Sequence, residues 1–187
     1  LYFTGSSTSL MGKVTIDSNT FTNAYYYGIY SYYYGYFPSI SYNTFTSRAS
    51  DASNYWYGMY MYVYNSSDSI KGNKFISTNS NIYYPCGMYL GYYLNYNNYG
   101  TPNDMIIANN EIILNISSGN YGMYIYYPYS SKVKILHNSI YLYGSGSAYG
   151  LYLFNSNSTY KITVQRNNIV TNAGSAAYPI YLGSYYT

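Results

Sequence analysis

The segment IANNEI at residues 107–112, followed by GMY at residues 122–124, holds the pattern that decides the fold. Its first half is an Asn with a bulky apolar residue two positions later. Its second half is a Gly followed by an apolar residue and a Tyr. The first half occurs at Asn19, Asn43, Asn73, Asn110, Asn138 and Asn167. The second half occurs at Gly28, Gly58, Gly87, Gly122, Gly150 and, with Pro in place of Gly, Pro179.

The spacing of this pattern predicts a repeat architecture. Successive Asn residues lie 24, 30, 37, 28 and 29 positions apart, and the Gly or Pro positions lie 30, 29, 35, 28 and 29 apart. A period in this range with uneven insertions is typical of a solenoid, in which each turn buries its apolar face against its neighbours.

Apolar residues on both sides of each Asn alternate with a period of two. The position three residues before the Asn is held by Ile16, Ile40, Ile70, Ile107, Ile135 and Val164. Alternation of this kind predicts half-buried strands rather than helices. Turns of such strands, stacked in parallel, place equivalent side chains in columns spaced by about 4.8 Å.

This order of elements, an apolar strand, an Asn at a bend and then Gly-apolar-Tyr, resembles the right-handed parallel β-helix repeats of the pectate-lyase-like superfamily. The resemblance implies an all-β solenoid of about six to seven turns, in which the six Asn side chains stack as a ladder inside one bend. It extends over nearly the whole chain, so we expect one domain at 1–187 without evident capping helices. Because that superfamily contains lyases, hydrolases, epimerases, adhesins and repeats of unknown role, the fold alone does not identify a function.

Composition narrows the classes of partner. The chain has 187 residues with 36 Tyr, and charged residues make up 7%, against about 25% in an average protein. The net charge of +3 comes from scattered residues, whereas nucleic acid requires a dense basic stripe. The sequence therefore argues against nucleic acid as a partner. It also predicts no membrane span, because no apolar stretch reaches about 18 residues.

Both ends of the sequence fall within the repeating pattern. Residues 1–3 read Leu-Tyr-Phe and residues 180–182 read Ile-Tyr-Leu, in the phase of the Gly-apolar-Tyr motif. A solenoid needs atypical terminal repeats to cover its open ends, and no amphipathic capping helix is evident. We therefore expect the turns to continue into other copies of the chain, as a filament, or into flanking repeats.

The tyrosine of the second motif supplies the most distinctive candidate contact surface. Its members are Tyr2, Tyr30, Tyr60, Tyr89, Tyr124, Tyr152 and Tyr181. A ladder that only stiffens the tube is the simpler interpretation, since stacked aromatic pairs contribute about 0.5 to 1.5 kcal/mol each. The functional interpretation is a hydroxyl-bearing aromatic strip that binds glycans or a second filament.

Catalytic and metal-binding constellations are not evident. The five acids, Asp17, Asp51, Asp68, Asp104 and Glu111, do not pair at equivalent positions of neighbouring turns, although lyases and glycosidases require clustered carboxylates. The remaining candidates are Arg48 with Asp51, helped by Lys71 or Lys74, and the single His137. A solvated ion pair and a bend histidine are the simpler interpretations. We predict no catalytic residues, no metal site and no cofactor.

Two smaller features concern covalent modification of the chain: the glycosylation sequons and the single cysteine. Sequons at Asn65, Asn115 and Asn157 are candidate glycosylation sites. The single Cys86 occupies a position that is Tyr in the other turns, which suggests a small buried filler, and one cysteine cannot form an intrachain disulfide.

The leading hypothesis is an extracellular or cell-surface, non-enzymatic β-helix with a structural or adhesive role. The first alternative is a carbohydrate-binding module that uses the Tyr positions, and the second is a polysaccharide lyase or hydrolase.

Overall fold

Strands connected by tight bends make up the regular structure of the protein. The computed structural model describes residues 1–6, 12–94, 104–128, 132–154 and 161–183, and these residues contain strands and no helix. In chain order the strands are β1 (Tyr2–Phe3), β2 (Ile16–Asp17), β3 (Thr20–Ala24), β4 (Tyr27–Tyr33), β5 (Tyr36–Phe37), β6 (Ile40–Ser41), β7 (Thr44–Ser47), β8 (Ser53–Val63), β9 (Ser66–Ser67), β10 (Ser69–Lys71), β11 (Lys74–Ser77), β12 (Ile82–Leu90), β13 (Met105–Ala108), β14 (Glu111–Asn115), β15 (Gly119–Tyr126), β16 (Val133–Leu136), β17 (Ser139–Gly144), β18 (Ser147–Phe154), β19 (Ile162–Gln165), β20 (Asn168–Ala173) and β21 (Ala177–Gly183).

Three parallel sheets run along the solenoid. Sheet 1 has seven strands in the order β1-β4-β8-β12-β15-β18-β21. Sheet 2 has six in the order β2-β6-β10-β13-β16-β19, and sheet 3 has six in the order β3-β7-β11-β14-β17-β20. A two-stranded sheet, β5-β9, completes the described pairings between named strands. Each strand therefore pairs with the equivalent strand of the next turn, and the predicted all-β parallel solenoid is confirmed.

The number of turns is close to the predicted number. The six Asn residues are separated by five complete turns, and partial turns at both ends account for the seventh strand of sheet 1. The structure therefore has about five complete turns, slightly fewer than the six to seven predicted.

The bend between sheets 2 and 3 has the same backbone in every turn. The residue before each ladder Asn has a positive φ of 55 to 65°. These residues are Ser18, Tyr42, Gly72, Asn109, His137 and Arg166. L-residues adopt this left-handed conformation at a cost, so the hydrogen bonds of the following Asn must hold the bend in place.

The core explains why the Asn motif and the Gly motif occur together. The apolar residues two positions after each Asn line sheet 3 on its inner side, beginning with the parallel rings of Phe21, Phe45 and Phe75 at centroid distances of 4.9 and 5.0 Å. A Cβ on Gly58 would contact the Phe75 ring, and one on Gly87 would lie 2.8 Å from Ile112. The apolar residue that follows the Asn of the next turn fills the space that a Cβ would occupy. The second motif therefore needs Gly at this position.

Candidate functional site

The six predicted Asn side chains lie in one column, the Asn ladder. From Asn43 onward, the Oδ1 atom accepts hydrogen bonds from the backbone N–H and the side-chain amide of the Asn one turn before. For Asn110 the donors are the backbone nitrogen of Asn73 at 2.9 Å and its Nδ2 atom at 3.0 Å. The Nδ2 atom of Asn110 donates to the Ile70 carbonyl at 3.0 Å and to Asn138 Oδ1 at 2.9 Å. The turn-to-turn bonds repeat along the column.

The Asn ladder has a structural role, because its internal side chains are buried and their hydrogen-bonding groups are all used. Asn43, Asn73, Asn110 and Asn138 are at most 1% exposed. An amide side chain has two donors and two acceptor lone pairs, and the bonds within the column use all four of them. The internal members of the ladder therefore have no remaining group with which to bind a ligand.

The seven predicted tyrosines form a second column, the Tyr ladder, on the outer face of sheet 1. Strand register aligns each Tyr with the equivalent residue of the next turn. From Tyr2 to Tyr181, successive ring centroids lie 5.1, 5.3, 4.7, 4.7, 5.1 and 4.8 Å apart, with interplanar angles of 21° or less. Two rings that lie side by side in one plane cannot bring their centroids this close together. The parallel rings therefore overlap face to face in an offset stack.

Exposure within the Tyr ladder is greatest at its ends. Tyr2 is 69% exposed and Tyr181 is 38% exposed, whereas the five rings between them are half-buried. Each internal ring has both faces covered by its neighbours. The internal members of the ladder therefore present ring edges rather than flat faces to an incoming molecule.

A second tyrosine column lies at the bend after sheet 1 and was not predicted from the sequence. Tyr34, Tyr64 and Tyr93 stack in parallel at centroid distances of 4.8 and 4.9 Å, and Tyr127 meets Tyr93 edge to face at 5.4 Å. All four have positive φ, between 50 and 56°. Tyr rarely adopts this conformation. The residues around each Tyr therefore did not predict a bend at these positions, and the column was missed.

The environment raises the pKa of several phenols. Burial is the main cause that raises the pKa of Tyr60, Tyr89 and Tyr124, and neighbouring phenols add to it. Burial raises the pKa of Tyr121 to about 12. The hydrogen bond that Tyr36 donates to Asp68 at 2.7 Å is the main cause that raises the Tyr36 pKa to about 12. A phenol with an ordinary pKa is already uncharged at neutral pH, and these shifts extend the uncharged state to higher pH.

The structure places the candidate catalytic residues in separate ion pairs. Arg48 pairs with Asp51 in an exposed loop, and the Arg48 guanidinium also lies 4.8 Å from the centre of the Tyr25 ring. Lys74 pairs instead with Glu111 of the next turn at 2.9 Å. These contacts are those of solvated surface ion pairs, which stabilise a fold by about 1 kcal/mol or less.

The other candidate positions also have structural surroundings. His137 is an exposed bend residue with positive φ, and its backbone N–H donates to the Gln165 carbonyl at 3.2 Å. Cys86 is fully buried, and burial raises the pKa of its thiol. The described residues contain no cluster of three or more His, Cys, Asp or Glu side chains that could hold a metal ion.

One candidate glycosylation site requires correction. Asn65 is 1% exposed, and its Nδ2 atom donates to the carbonyls of Ser31 and Val63 at 3.2 Å each. Its Oδ1 atom accepts from Ser31 Oγ at 2.6 Å and from the Gly35 backbone at 3.0 Å. A glycan on this buried amide would disrupt the bend, so the folded protein cannot carry one at Asn65.

The other two sequons have different outcomes. Asn115 is half-buried, with its Nδ2 atom donating to the Thr78 carbonyl at 3.2 Å, and its glycosylation stays a prediction. Asn157 lies outside the described residues.

The end formed by the last turn exposes apolar side chains. Ile180 is 47% exposed and Leu182 is 74% exposed. Together with Leu153, Ile162 and Val164 they line an open apolar cleft. At the opposite end, Leu1 is 53% exposed beside Tyr2. Among the described residues, β1 pairs only with β4, and β21 pairs only with β18, so sheet 1 presents an unpaired strand edge at each end of the solenoid.

Comparisons with known proteins give one match. A family model described as "Right handed beta helix region" matches residues 1–169. No curated protein and no solved structure matches the chain. None of the described residues form a helix long and apolar enough to cross a membrane.

Proposed function

The chain belongs to the right-handed β-helix family, and from this premise we propose that it is a non-catalytic structural solenoid. Its end surfaces stack onto further turns, supplied by another copy or by flanking repeats. The setting that we propose is the cell surface or the extracellular space, where a rigid rod displays or joins other components.

The observation that carries this proposal is the match between the two ends. Tyr2 aligns with Tyr30, and Tyr181 aligns with Tyr152, within the same column. If β1 of a second copy paired with the free edge of β21, Tyr2 would stack on Tyr181 and continue the Tyr ladder. The backbone groups at that edge would gain partners, and exposed strand edges readily template such pairing.

The exposed side chains at the ends favour the same association. Leu1, Tyr2, Ile180 and Leu182 are each between 47 and 74% exposed. Stacking would bury them and close the apolar cleft, at about 25 cal/mol for each Å² of apolar surface removed from water. Continuation of the turns would cover these surfaces in the way that terminal repeats cover the ends of other solenoids.

Charge and surface chemistry support a structural role. With 7% charged residues, copies repel one another weakly. Hydroxyl and amide groups supply most of the polar surface, which suits a packed rod better than a site that steers charged ligands.

The alternative functions have weaker geometric support. A carbohydrate-binding module stacks sugar rings on open aromatic faces, but the internal rings of the Tyr ladder cover one another. A lyase or hydrolase needs convergent carboxylates, whereas Asp51, Asp104 and Glu111 each pair with a different base. The geometry therefore favours the structural function over both.

Replacing Leu182 with lysine is expected to weaken end-to-end association by roughly tenfold or more, because a charge would be buried at the junction. Analytical ultracentrifugation over a concentration series, with electron microscopy of the same samples, measures the assembly. Tyr84→Lys is the matched control, since Tyr84 is 49% exposed and lies on the flank of the solenoid. It should assemble like the unmodified protein. A protein that stays monomeric at every concentration would contradict stacking onto another copy, and equal assembly of all three proteins would contradict the role of this end surface.

A further inference from the structure

The internal members of the Tyr ladder hold their phenol rings face to face at short and nearly constant distances. Tyr60, Tyr89 and Tyr124 lie in a continuous stack with centroid distances of 4.7 Å on both sides of Tyr89 and interplanar angles of 16 and 9°. Strand pairing on sheet 1 fixes the separation of these residues. Neighbouring phenols are therefore held face to face by the backbone before any reaction begins.

Tyrosine is the abundant residue type in this chain that oxidation can crosslink. The chain has one cysteine, which is buried, and 36 tyrosines. A disulfide within the chain is excluded by this count. Covalent reinforcement of the solenoid by oxidation would therefore have to join phenols.

We propose that the Tyr ladder is a site of oxidative crosslinking, in which a peroxidase using hydrogen peroxide joins stacked tyrosines of neighbouring turns as dityrosine. The reaction takes place within one molecule, so this proposal goes beyond the proposed function and does not depend on end-to-end assembly.

The chemistry balances with the oxidant that the proposal names. Each of two phenols loses one electron and one proton and becomes a phenoxyl radical. The radicals couple through a new carbon–carbon bond between ring carbons ortho to the oxygens. The hydrogen on each of these carbons then moves to the oxygen and restores the phenol. Hydrogen peroxide accepts the two electrons and two protons and yields two water molecules.

Stacking favours this coupling because the unpaired electron of a phenoxyl radical occupies π orbitals above and below the ring. Overlapping faces point these orbitals at each other, and strand pairing keeps the two rings in that position. Holding two reactants together in the reacting geometry replaces a bimolecular encounter with an intramolecular step, which lowers the entropic barrier to coupling.

In a chain whose ends are not yet covered by further turns, access for the oxidant is available at the ends of the stack. Tyr2 and Tyr181 are the most exposed rings of the ladder and contact the internal rings directly, at 5.1 Å from Tyr30 and 4.8 Å from Tyr152. A radical formed at an end ring can take an electron from the next ring. Oxidation at an exposed end thereby reaches half-buried tyrosines.

The test treats the folded protein with a haem peroxidase and limiting hydrogen peroxide, then measures dityrosine fluorescence and maps crosslinked peptides in the monomer by mass spectrometry. We expect each crosslink to remove two hydrogen atoms and to join peptides of neighbouring turns, including the Tyr60–Tyr89 and Tyr89–Tyr124 pairs. The same treatment in denaturant should abolish this pattern.

Two variants make the result specific to the stack. Tyr89→Phe keeps an aromatic ring in the column but has no phenol to oxidise, so both crosslinks at this position should disappear while the Tyr124–Tyr152 crosslink remains. Tyr83→Phe is the matched control, because Tyr83 is 52% exposed and lies outside the ladder, and its crosslink map should equal that of the unmodified protein. Absence of dityrosine, or crosslinks confined to exposed tyrosines such as Tyr42 and Tyr83, would overturn the proposal.

Discussion

Replacing Gly58 with alanine is expected to lower the free energy of unfolding by about 3 kcal/mol, at the upper end of the usual cost of overpacking a core. The new methyl group would meet the Phe75 ring and would lie 2.8 Å from the Gly87 carbonyl oxygen. Phe75 cannot move away easily, because it stacks on Phe45 at 5.0 Å and pairs with Ile112 on its other side. The backbone of Gly87 is equally fixed within sheet 1.

Urea unfolding followed by circular dichroism measures this effect, and Gly119→Ala supplies the comparison. Gly119 also lies on sheet 1, but the nearest atom to an added Cβ is the Ser147 carbonyl oxygen at 3.4 Å. That is an ordinary contact, so the control should change the stability by about 0.5 kcal/mol or less. Equal losses in the two variants would show that Gly58 is not needed for the packing described above.

Replacing Asn110 with alanine is expected to cost about 3 to 5 kcal/mol, since each buried polar group left without a partner costs about 1 to 3 kcal/mol. The backbone N–H and the Nδ2 group of Asn73 would both lose their acceptor. The Ile70 carbonyl and Asn138 Oδ1 would each lose a donor. Water cannot easily replace these partners, because Asn73, Asn110 and Asn138 are at most 1% exposed.

Asn19→Ala tests whether burial within the column causes this cost. Asn19 has the same residue type in the same bend, but it is exposed at the end of the ladder. Water can replace the bonds that it donates to Asn43 Oδ1 and to the Asp17 carbonyl, so we expect a loss of about 1 kcal/mol. A loss for Asn110→Ala as small as that for Asn19→Ala, in the same chemical denaturation assay, would contradict the role assigned to the ladder.

The order of turns could be predicted because it depends on residue types at regular spacing. An amide side chain can donate and accept along a column at every turn and still donate to the bend, so repeated Asn residues at one bend marked the ladder. Alternating apolar residues such as Val133 and Ile135 marked the strands, and both are fully buried in β16. These features are repeated in every turn, and repetition makes them visible in one sequence.

Other features depend on contacts between turns that sequence spacing does not show. The burial of Asn65 depends on Ser31 and Gly35, which are 34 and 30 residues earlier in the chain. The need for Gly58 depends on Phe75 in the following turn. The orientation of the Tyr rings could not be predicted either, because alternation places a side chain on the outer face without saying whether its ring lies flat or stacks.

Nuclear Overhauser effects between the side-chain amide protons of successive ladder Asn residues test the stacked arrangement of turns most directly. The structure predicts an unbroken series of cross-peaks that connects Asn43, Asn73, Asn110 and Asn138, because each Nδ2 atom lies 2.9 to 3.0 Å from the Oδ1 atom of the next turn. These amide protons should also exchange slowly with solvent. Rapidly exchanging side-chain amides with no cross-peaks between turns would contradict the β-helix and the functions proposed from it.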